Sequence, residues 1–179
     1  MSVDSPRVLL TRDQVAEAVG RMAAAITELG ADLDNLVFVG IQRRGVELAE
    51  RIADLLSTDG IELPRGALDI TLYRDDLQTI GPKPVIGETR IPTDLDGKDV
   101  VIVDDVLYTG RTVRAALDEL VDFGRPARIM LCVLVDRGGR ELPIQADVIG
   151  YTVAAQPGDR VDVFLDEIDG RDAVEMDTG

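Results

Sequence analysis

Apolar positions along the chain follow two rhythms that alternate from segment to segment. Val15, Val19, Met22, Ile26 and Leu29 return at helical spacing, with Thr11 and Gln14 three residues apart at the start and Gly30 at the end. That pattern predicts a capped amphipathic helix. LVFVGI, 36–41, is an unbroken apolar run of strand length, as expected of a parallel strand covered on both faces. Gln42, Arg43, Arg44 and Gly45 then make a turn into a second helix, with Val46, Ala49, Ala53 and Leu56 as its predicted stripe. In ALDITLY, Leu68, Ile70 and Leu72 alternate onto one face. From 74 to 98 the pattern is irregular, broken by Gly81, Pro82, Pro84, Gly87 and Pro92, and its length marks a working loop. Strand, helix and strand signals resume at 100–103, 111–123 and 129–135. Beyond Gly138, Gly139 and Pro143, short strand signals at 148–153 and 161–165 predict an appended antiparallel end. The alternation predicts the α/β class, with an open, mostly parallel sheet in a single domain over 1–179.

Composition narrows the functional classes. With 179 residues, 45% hydrophobic and 3% aromatic, the chain can bury a sizeable core. A net charge of −15, from 34 acidic against 19 basic residues, disfavours a broad grip on nucleic acid or an anionic membrane. Any RNA contact would have to be a local basic patch. Lys83 and Lys98 are the only lysines and aspartates dominate the acids, which fits a salty cytoplasm or an acidic surface. Cys132, inside IMLCVLV, is alone, so no disulfide framework exists, and its apolar setting predicts a core thiol. Histidine is absent. With neither a leader nor an apolar run of bilayer length, the chain is expected to be cytoplasmic and to have no membrane partner.

Parallel sheets take ligands beyond the carboxyl ends of their strands, where both candidate turns fall. At the first, Gly45 begins a helix whose unpaired amides and dipole suit an anion, with Arg43 and Arg44 beside them. The second is VVIVDDVLYTGRT, 100–112, where Thr109, Gly110, Arg111 and Thr112 place hydroxyls and amides at another helix start, a fit for a phosphate monoester. Asp104 and Asp105 just upstream are acceptors for vicinal sugar hydroxyls, directly or through Mg²⁺ and its waters. Each feature has a plainer reading. A lone Thr-Gly-x-Thr is usually a capped turn, Arg43 and Arg44 also suit a solvated surface, and YRDDL, 73–77, also suits an exposed loop start. Adjacent aspartates closing an apolar strand are costly without partners, so the complete string favours a ligand. Two anion sites flanking a diol binder describe a phosphorylated ribose carrying a second phosphate group.

VVIVDDVLYTGRT resembles the phosphoribosyl pyrophosphate (PRPP) motif of the type I phosphoribosyltransferases. DITLYRDDL, ETRIP and LVDRG followed by RELPI are similar to the bifunctional pyrimidine operon attenuators and uracil phosphoribosyltransferases within that family, over roughly 9–175. The resemblance implies a central sheet flanked by helices, a flexible loop at about 74–98 and a small hood at about 136–179 that binds the base. It assigns Asp104 and Asp105 to the ribose hydroxyls and to Mg²⁺ carried with PRPP and water, and Tyr108, Thr109, Gly110, Arg111 and Thr112 to the 5-phosphate. Arg43 and Arg44 fall to pyrophosphate, Arg74, Asp75 and Arg90 to the flexible loop, and Asp136, Arg137 and Gly138 to uracil. The expected catalytic set is Asp104, Asp105, Arg74 and Arg44. Uracil N1 would join ribose C1 with loss of pyrophosphate, giving UMP, by a mainly electrostatic mechanism that needs no histidine. Tyr108 stands where purine-specific relatives usually place an aspartate, which favours uracil. Homodimers or homotetramers are implied as well.

A second role implied by the resemblance is binding the leader RNA of the pyrimidine operon, with UMP or UTP as corepressor. Here the chain departs from the pattern. Gly20 and Ala24 replace a threonine and a histidine on the first helix, and Gly139, Gln145 and Tyr151 replace a histidine, an arginine and a lysine. Arg140 remains, so RNA attenuation is expected to be weakened or lost while the enzyme is kept. Two further classes stay open: a salvage enzyme for another base such as xanthine, and a silent sensor that binds UMP without turnover.

Overall fold

Thr11 opens α1 (Arg12–Glu28) by the reciprocal box its spacing predicts: its hydroxyl accepts from the Gln14 amide at 3.4 Å, and the Gln14 side chain accepts from the Thr11 amide at 2.9 Å. Val15, Val19, Met22 and Ile26 are buried along the helix as expected, joined by Ala18 and Ala23. Leu29 lies just past the helix and is exposed. The structure, a computed structural model, describes residues 5–57, 60–71 and 88–179. Leu72, the YRDDL run with Arg74 and Asp75, and 81–87 lie outside the described residues.

Five described strands form a wholly parallel sheet in the order β3-β2-β4-β5-β6. They are β2 (Leu36–Ile41), β3 (Arg65–Leu68), β4 (Asp99–Leu107), β5 (Arg128–Asp136) and β6 (Val148–Thr152). Side chains alternate between its faces. Leu36, Phe38, Val101, Val103, Cys132 and Leu134 pack with α1 and α2 (Arg44–Leu56), whereas Val37, Val39, Val100, Ile102, Leu131 and Val133 pack with α3 (Arg111–Leu120). Cover on both faces explains why these strands read as continuous apolar runs. Burial pushes the Cys132 thiol up to about 12, with Asp147 adding to the effect, which makes it an inert core group.

The start of α2 presses against the sheet backbone to backbone. A Cβ on Gly40 would lie 2.4 Å from Val46 Cα, and one on Gly45 would lie 2.4 Å from the Val103 carbonyl oxygen. This contact turns Leu48, Ala49, Ile52 and Ala53 fully inward and leaves Val46 and Leu56 half-buried, so the buried stripe is shifted from the predicted one.

Three other expectations need correction. β4 does not stop at Val103 but runs through both aspartates to Leu107, because β5 is equally long and supplies ladder partners, Val106 opposite Val135 and Leu107 opposite Asp136. The strand at 148–153 is not part of an antiparallel end. Connection 137–147 is long enough to bring β6 back parallel to β5, and Gly150 leaves room for Met22 of α1 above it. The predicted helix 111–123 ends as α3 at Leu120, followed by a 3-10 turn over Val121–Phe123. An antiparallel end does exist, built from β1 (Arg7–Leu10), β8 (Ala173–Asp177) and β7 (Arg160–Phe164) in that order. No described helix is long and apolar enough to cross a membrane.

Arginine forks hold this small sheet to α2. Arg51 donates to Glu167 at 2.8 and 2.6 Å and to Asp172 at 2.9 and 2.8 Å, and Arg44 donates to Asp169 of α4 (Asp166–Asp169) at 3.2 and 2.7 Å. Hydrogen bonds from Arg51 hold the Glu167 and Asp172 carboxyls below their usual range, and those from Arg44 do the same for Asp169, in each case against the opposing effect of burial.

Gly45→Ala is expected to cost about 2–3 kcal/mol through backbone overpacking, whereas Gly20→Ala, whose Cβ meets nothing within 4 Å, should add about 0.5–1 kcal/mol. Urea midpoints at unchanged slope test both. Lowered carboxyl pKa values contribute stability that is present above the unfolded values near ~4 and is lost as pH falls through the folded ones. Arg51→Met should therefore trail the wild type by about 1–2 kcal/mol at neutral pH, allowing for the half-exposed Glu167 arm. Chemical unfolding at stepped pH should show that gap narrowing in acid; a gap independent of pH would contradict the assignment.

Candidate active site

β2 and β4 are neighbours, so the turns that leave their carboxyl ends lie side by side. At the first turn a cis peptide bond joins Gln42 to Arg43, and Arg43 precedes α2 with no side chain capping the helix. At the second, Gly110 takes a left-handed φ of 94° and opens α3, also without a capping side chain of its own. Thr109 Oγ1 accepts from the Arg111 amide at 3.2 Å. The Thr109 carbonyl accepts from the Glu141 and Leu142 amides at 3.0 and 3.1 Å, which pins the following turn beneath the cradle. A side chain at 110 would press on Ile144 at 3.0 Å, so glycine is required here by conformation and by space.

Two cavities open at this end of the sheet. One, of about 420 Å³, is lined by Val106, Leu107, Tyr108, Thr109, Gly110, Arg111, Thr112, Val113 and Glu141. Its neighbour, of about 270 Å³, is lined by Ile41, Gln42, Asp69, Ile70, Thr71, Asp104, Asp105, Val106 and Thr112. Val106 and Thr112 belong to both, so the hydroxyl cradle and the aspartate pair form adjoining chambers.

Asp104 is 6% exposed, and its Oδ1 accepts from the Asp105 amide at 2.9 Å. Asp105 Oδ1 in turn accepts from the Val106 amide at 2.8 Å. These bonds orient each carboxylate and use one oxygen of each. Among the described residues no group of three or more His, Cys, Asp or Glu could hold a metal ion by itself. A pair of hard oxygen donors does suit Mg²⁺ that arrives with other ligands, such as phosphate oxygens and water.

The arrangement gathers Asp104, Asp105 and Thr112 in one chamber and Tyr108, Thr109, Gly110 and Arg111 in the other. It treats the expected arginines differently. Arg44 is turned away to Asp169, whose hydrogen bond raises its pKa against desolvation. Arg111 directs Nε and a terminal nitrogen to Glu141 at 3.3 Å, and Arg43 is exposed beside the first turn. Arg90 lies at the root of the expected loop in a two-way backbone bridge with Ala67, 2.8 Å in each direction. Arg74 and Asp75 lie outside the described residues.

Arg137, in the turn after β5, is buried. Its side chain is 5% exposed, donates to the Asp159 and Gln156 carbonyls at 2.8 and 3.2 Å, and lies 3.8 Å over the Tyr108 ring. Both terminal nitrogens of this buried guanidinium are thus used on protein carbonyls, while its Nε is buried without a hydrogen-bond partner, and the side chain helps to build the turn. Gly138 donates its amide to Asp136 Oδ1 at 3.0 Å. Arg140 is likewise committed inside the fold, to the Ile144 and Tyr108 carbonyls at 2.8 and 2.9 Å and to Asp136 at 2.6 Å. Burial acts to raise the Asp136 carboxyl, but Arg140 and the Gly138 amide hold it below the usual range.

Asp69 and Thr71 line the aspartate chamber and were not among the expected site residues. Asp69 Oδ1 accepts from the Thr71 amide at 2.9 Å and from its hydroxyl. An Asp-x-Thr step after a strand is a local turn former, and that was the available signal in ALDITLY.

Comparison with known proteins agrees with this architecture. The phosphoribosyl transferase domain family matches residues 9–161. The chain is 52% identical over 169 residues to the bifunctional protein PyrR of Deinococcus radiodurans, covering 94% of this chain and 92% of that one. It is 53% identical to the bifunctional protein PyrR of Thermus thermophilus, covering 94% and 93%. A hypoxanthine phosphoribosyltransferase from Staphylococcus aureus shares the fold, with a TM-score of 0.64 at 22% identity over 84% of this chain and 79% of that one. Matched by the domain family over most of its length and by these relatives at above half identity, the chain belongs to the phosphoribosyltransferase family, in the branch of the bifunctional PyrR proteins.

Proposed function

We propose that this chain is a uracil phosphoribosyltransferase of the PyrR type, making UMP and pyrophosphate from uracil and PRPP. One observation carries the reading: Asp104 and Asp105 line a chamber that shares a wall with the hydroxyl and amide cradle at 108–112. The cradle takes the 5-phosphate on the amides and dipole of α3 and on the Thr109 and Thr112 hydroxyls. Asp104 and Asp105 accept from the ribose hydroxyls and so orient C1 toward the base. Pyrophosphate leaves on the α2 side, where Arg43 is exposed at the helix start. Mg²⁺ bound with PRPP would be held by Asp104 and Asp105 through water and would stabilise the leaving charge. The base meets the turn at Asp136, Arg137 and Gly138, whose shape is set by the Arg137–Tyr108 stack. Catalysis then consists of orientation and charge stabilisation, with C1–O broken, C1–N1 formed and the N1 proton released. The protein works in the cytoplasm, as a homodimer or homotetramer.

UMP formation from uracil, PRPP and Mg²⁺ tests this reading, beside a variant carrying Asp104→Asn and Asp105→Asn. A fall in kcat/KM of about 10²-fold or more is expected at unchanged secondary structure. Equal turnover in the variant, or preference for hypoxanthine or xanthine over uracil, would count against it.

The bifunctional relatives raise a second reading, an RNA-binding attenuator responsive to UMP or UTP. Arg140, the cation left at the expected RNA face, is spent on Asp136 and two carbonyls. Position 139 takes no histidine without moving the site: Gly139 has φ +85°, and a Cβ there would lie 2.5 Å from the Tyr108 ring. With a net charge of −15 added, binding of pyrimidine leader RNA at physiological salt is expected to be weaker than about 1 μM. Gel shifts with and without UMP measure this; a tight, UMP-dependent shift would overturn it.

A further inference from the structure

α3 carries a carboxylate that the chemistry above does not use. Glu119 faces the core layer between α3 and the sheet, is 5% exposed, and has Oε2 buried without a hydrogen-bond partner. Its Oε1 accepts from the Thr89 hydroxyl at 2.7 Å. Thr89 Oγ1 accepts from the Asp69 amide at 2.9 Å. Asp69 accepts from the Thr71 amide and hydroxyl, and both residues line the aspartate chamber. Burial pushes the Glu119 carboxyl up, with Asp69 and Asp122 adding to this and the Thr89 hydroxyl opposing it. An apolar side chain would fill this place without leaving a buried oxygen unpaired.

The chamber has two walls of different origin. Asp104, Asp105, Val106 and Thr112 come from β4 and the start of α3, whereas Asp69, Ile70 and Thr71 come from the stretch after β3. Among the described strands, β3 is at the edge, on the far side of β2 from β4. The Glu119–Thr89–Asp69 line joins the helix that starts at the cradle to the opposite wall. We propose that Glu119 and Thr89 are positioning residues that fix Asp69 and Thr71, and so set the width of the chamber that receives the ribose and pyrophosphate of PRPP. The kinetic consequence rests on the phosphoribosyl-transfer reading; the hold on Asp69 does not.

Thr89→Val keeps the shape and removes the hydroxyl, leaving the Asp69 amide unpaired, whereas Thr89→Ser keeps the hydroxyl. The valine variant is expected to raise KM for PRPP about tenfold, with a much smaller change in kcat, and to speed hydrogen exchange at the Asp69 amide. Serine should restore both. If the valine variant does not fold, Glu119→Leu, which keeps apolar volume in the core, carries the same expectation for KM. A folded valine variant with KM within about twofold of the wild type and unaltered Asp69 exchange overturns the proposal. If the wild type shows no turnover, the functional reading fails separately, and the Asp69 amide still decides: faster exchange with valine reversed by serine supports the hold, and unchanged exchange refutes it.

Discussion

The site depends on one contact, the approach of the first turn of α2 to β2 and β4 at backbone distance. Gly40 of β2 faces the backbone of Gly45 and Val46, and Gly45 faces the backbone of Val103 and Asp104 in β4, so at either position any Cβ would lie inside another residue's backbone. A Cβ on Gly45 would also come within 3.2 Å of Asp104 Cα, so this contact sets how far the turn at 42–45 stands from the aspartate pair of β4. Two helix starts and an aspartate pair thereby converge at the carboxyl ends of adjacent strands, where their dipoles act on the same small volume. The contact reaches further through Arg44, the first residue of α2, whose charge interacts with Asp105 on one side and is forked by Asp169 on the other. The C-terminal hairpin is thus tied to the active end of the sheet by the element that shapes that end.

How the arginines are spent explains how so acidic a chain builds an anion site. Arg44, Arg51, Arg65, Arg137 and Arg140 all donate to protein carboxylates or carbonyls, and several of these bonds are two-pronged. Their charge holds the fold together and contributes little to an outward field. Under the proposed function, attraction for phosphate would come instead from the helix starts that lack a side-chain cap and from hydroxyls, which act over the last few ångströms. An anionic substrate approaching a surface of net charge −15 gains from arriving with a divalent cation, and the paired aspartates suit that form. The same allocation leaves little cationic surface for an RNA backbone, whose binding needs charge over a wide area.

Much of this was legible in the sequence because the deciding signals are local. The α1 capping box, the β2 strand and the Thr109 to Thr112 helix start rest on short spacings, and each stands where it was expected. The errors arose where a partner far along the chain decides. β4 continues through the aspartates because β5 offers ladder partners, and β6 joins the parallel sheet because α1 and Gly150 make a place for it. The face α2 buries follows from two glycines five residues apart, which no hydrophobic count registers. That the side chains of Arg137 and Arg140 also staple the turn together could not be read from sequence, because their carbonyl partners lie far along the chain. Glu119 gave no signal at all, since a glutamate in a helix ordinarily reads as solvated.

The register of β4 on β5 then determines which parts of the site move as one. Leu107 lies opposite Asp136, so the cradle and the base-side turn leave the sheet side by side. They are joined at once by the Arg137 amide on the Leu107 carbonyl, by Arg140 on the Tyr108 carbonyl and by the Arg137–Tyr108 stack. The 107–112 cradle and the 136–140 turn are therefore cross-linked into one unit. The wall at Asp69 to Thr71 follows β3, which among the described residues pairs with β2 and with the short bridge at Arg90. A segment at the end of a strand on the sheet's edge is where displacement costs least. The hydrogen-bonded line from Glu119 through Thr89 to Asp69 ties that wall to α3 in a directional way that apolar packing would not supply.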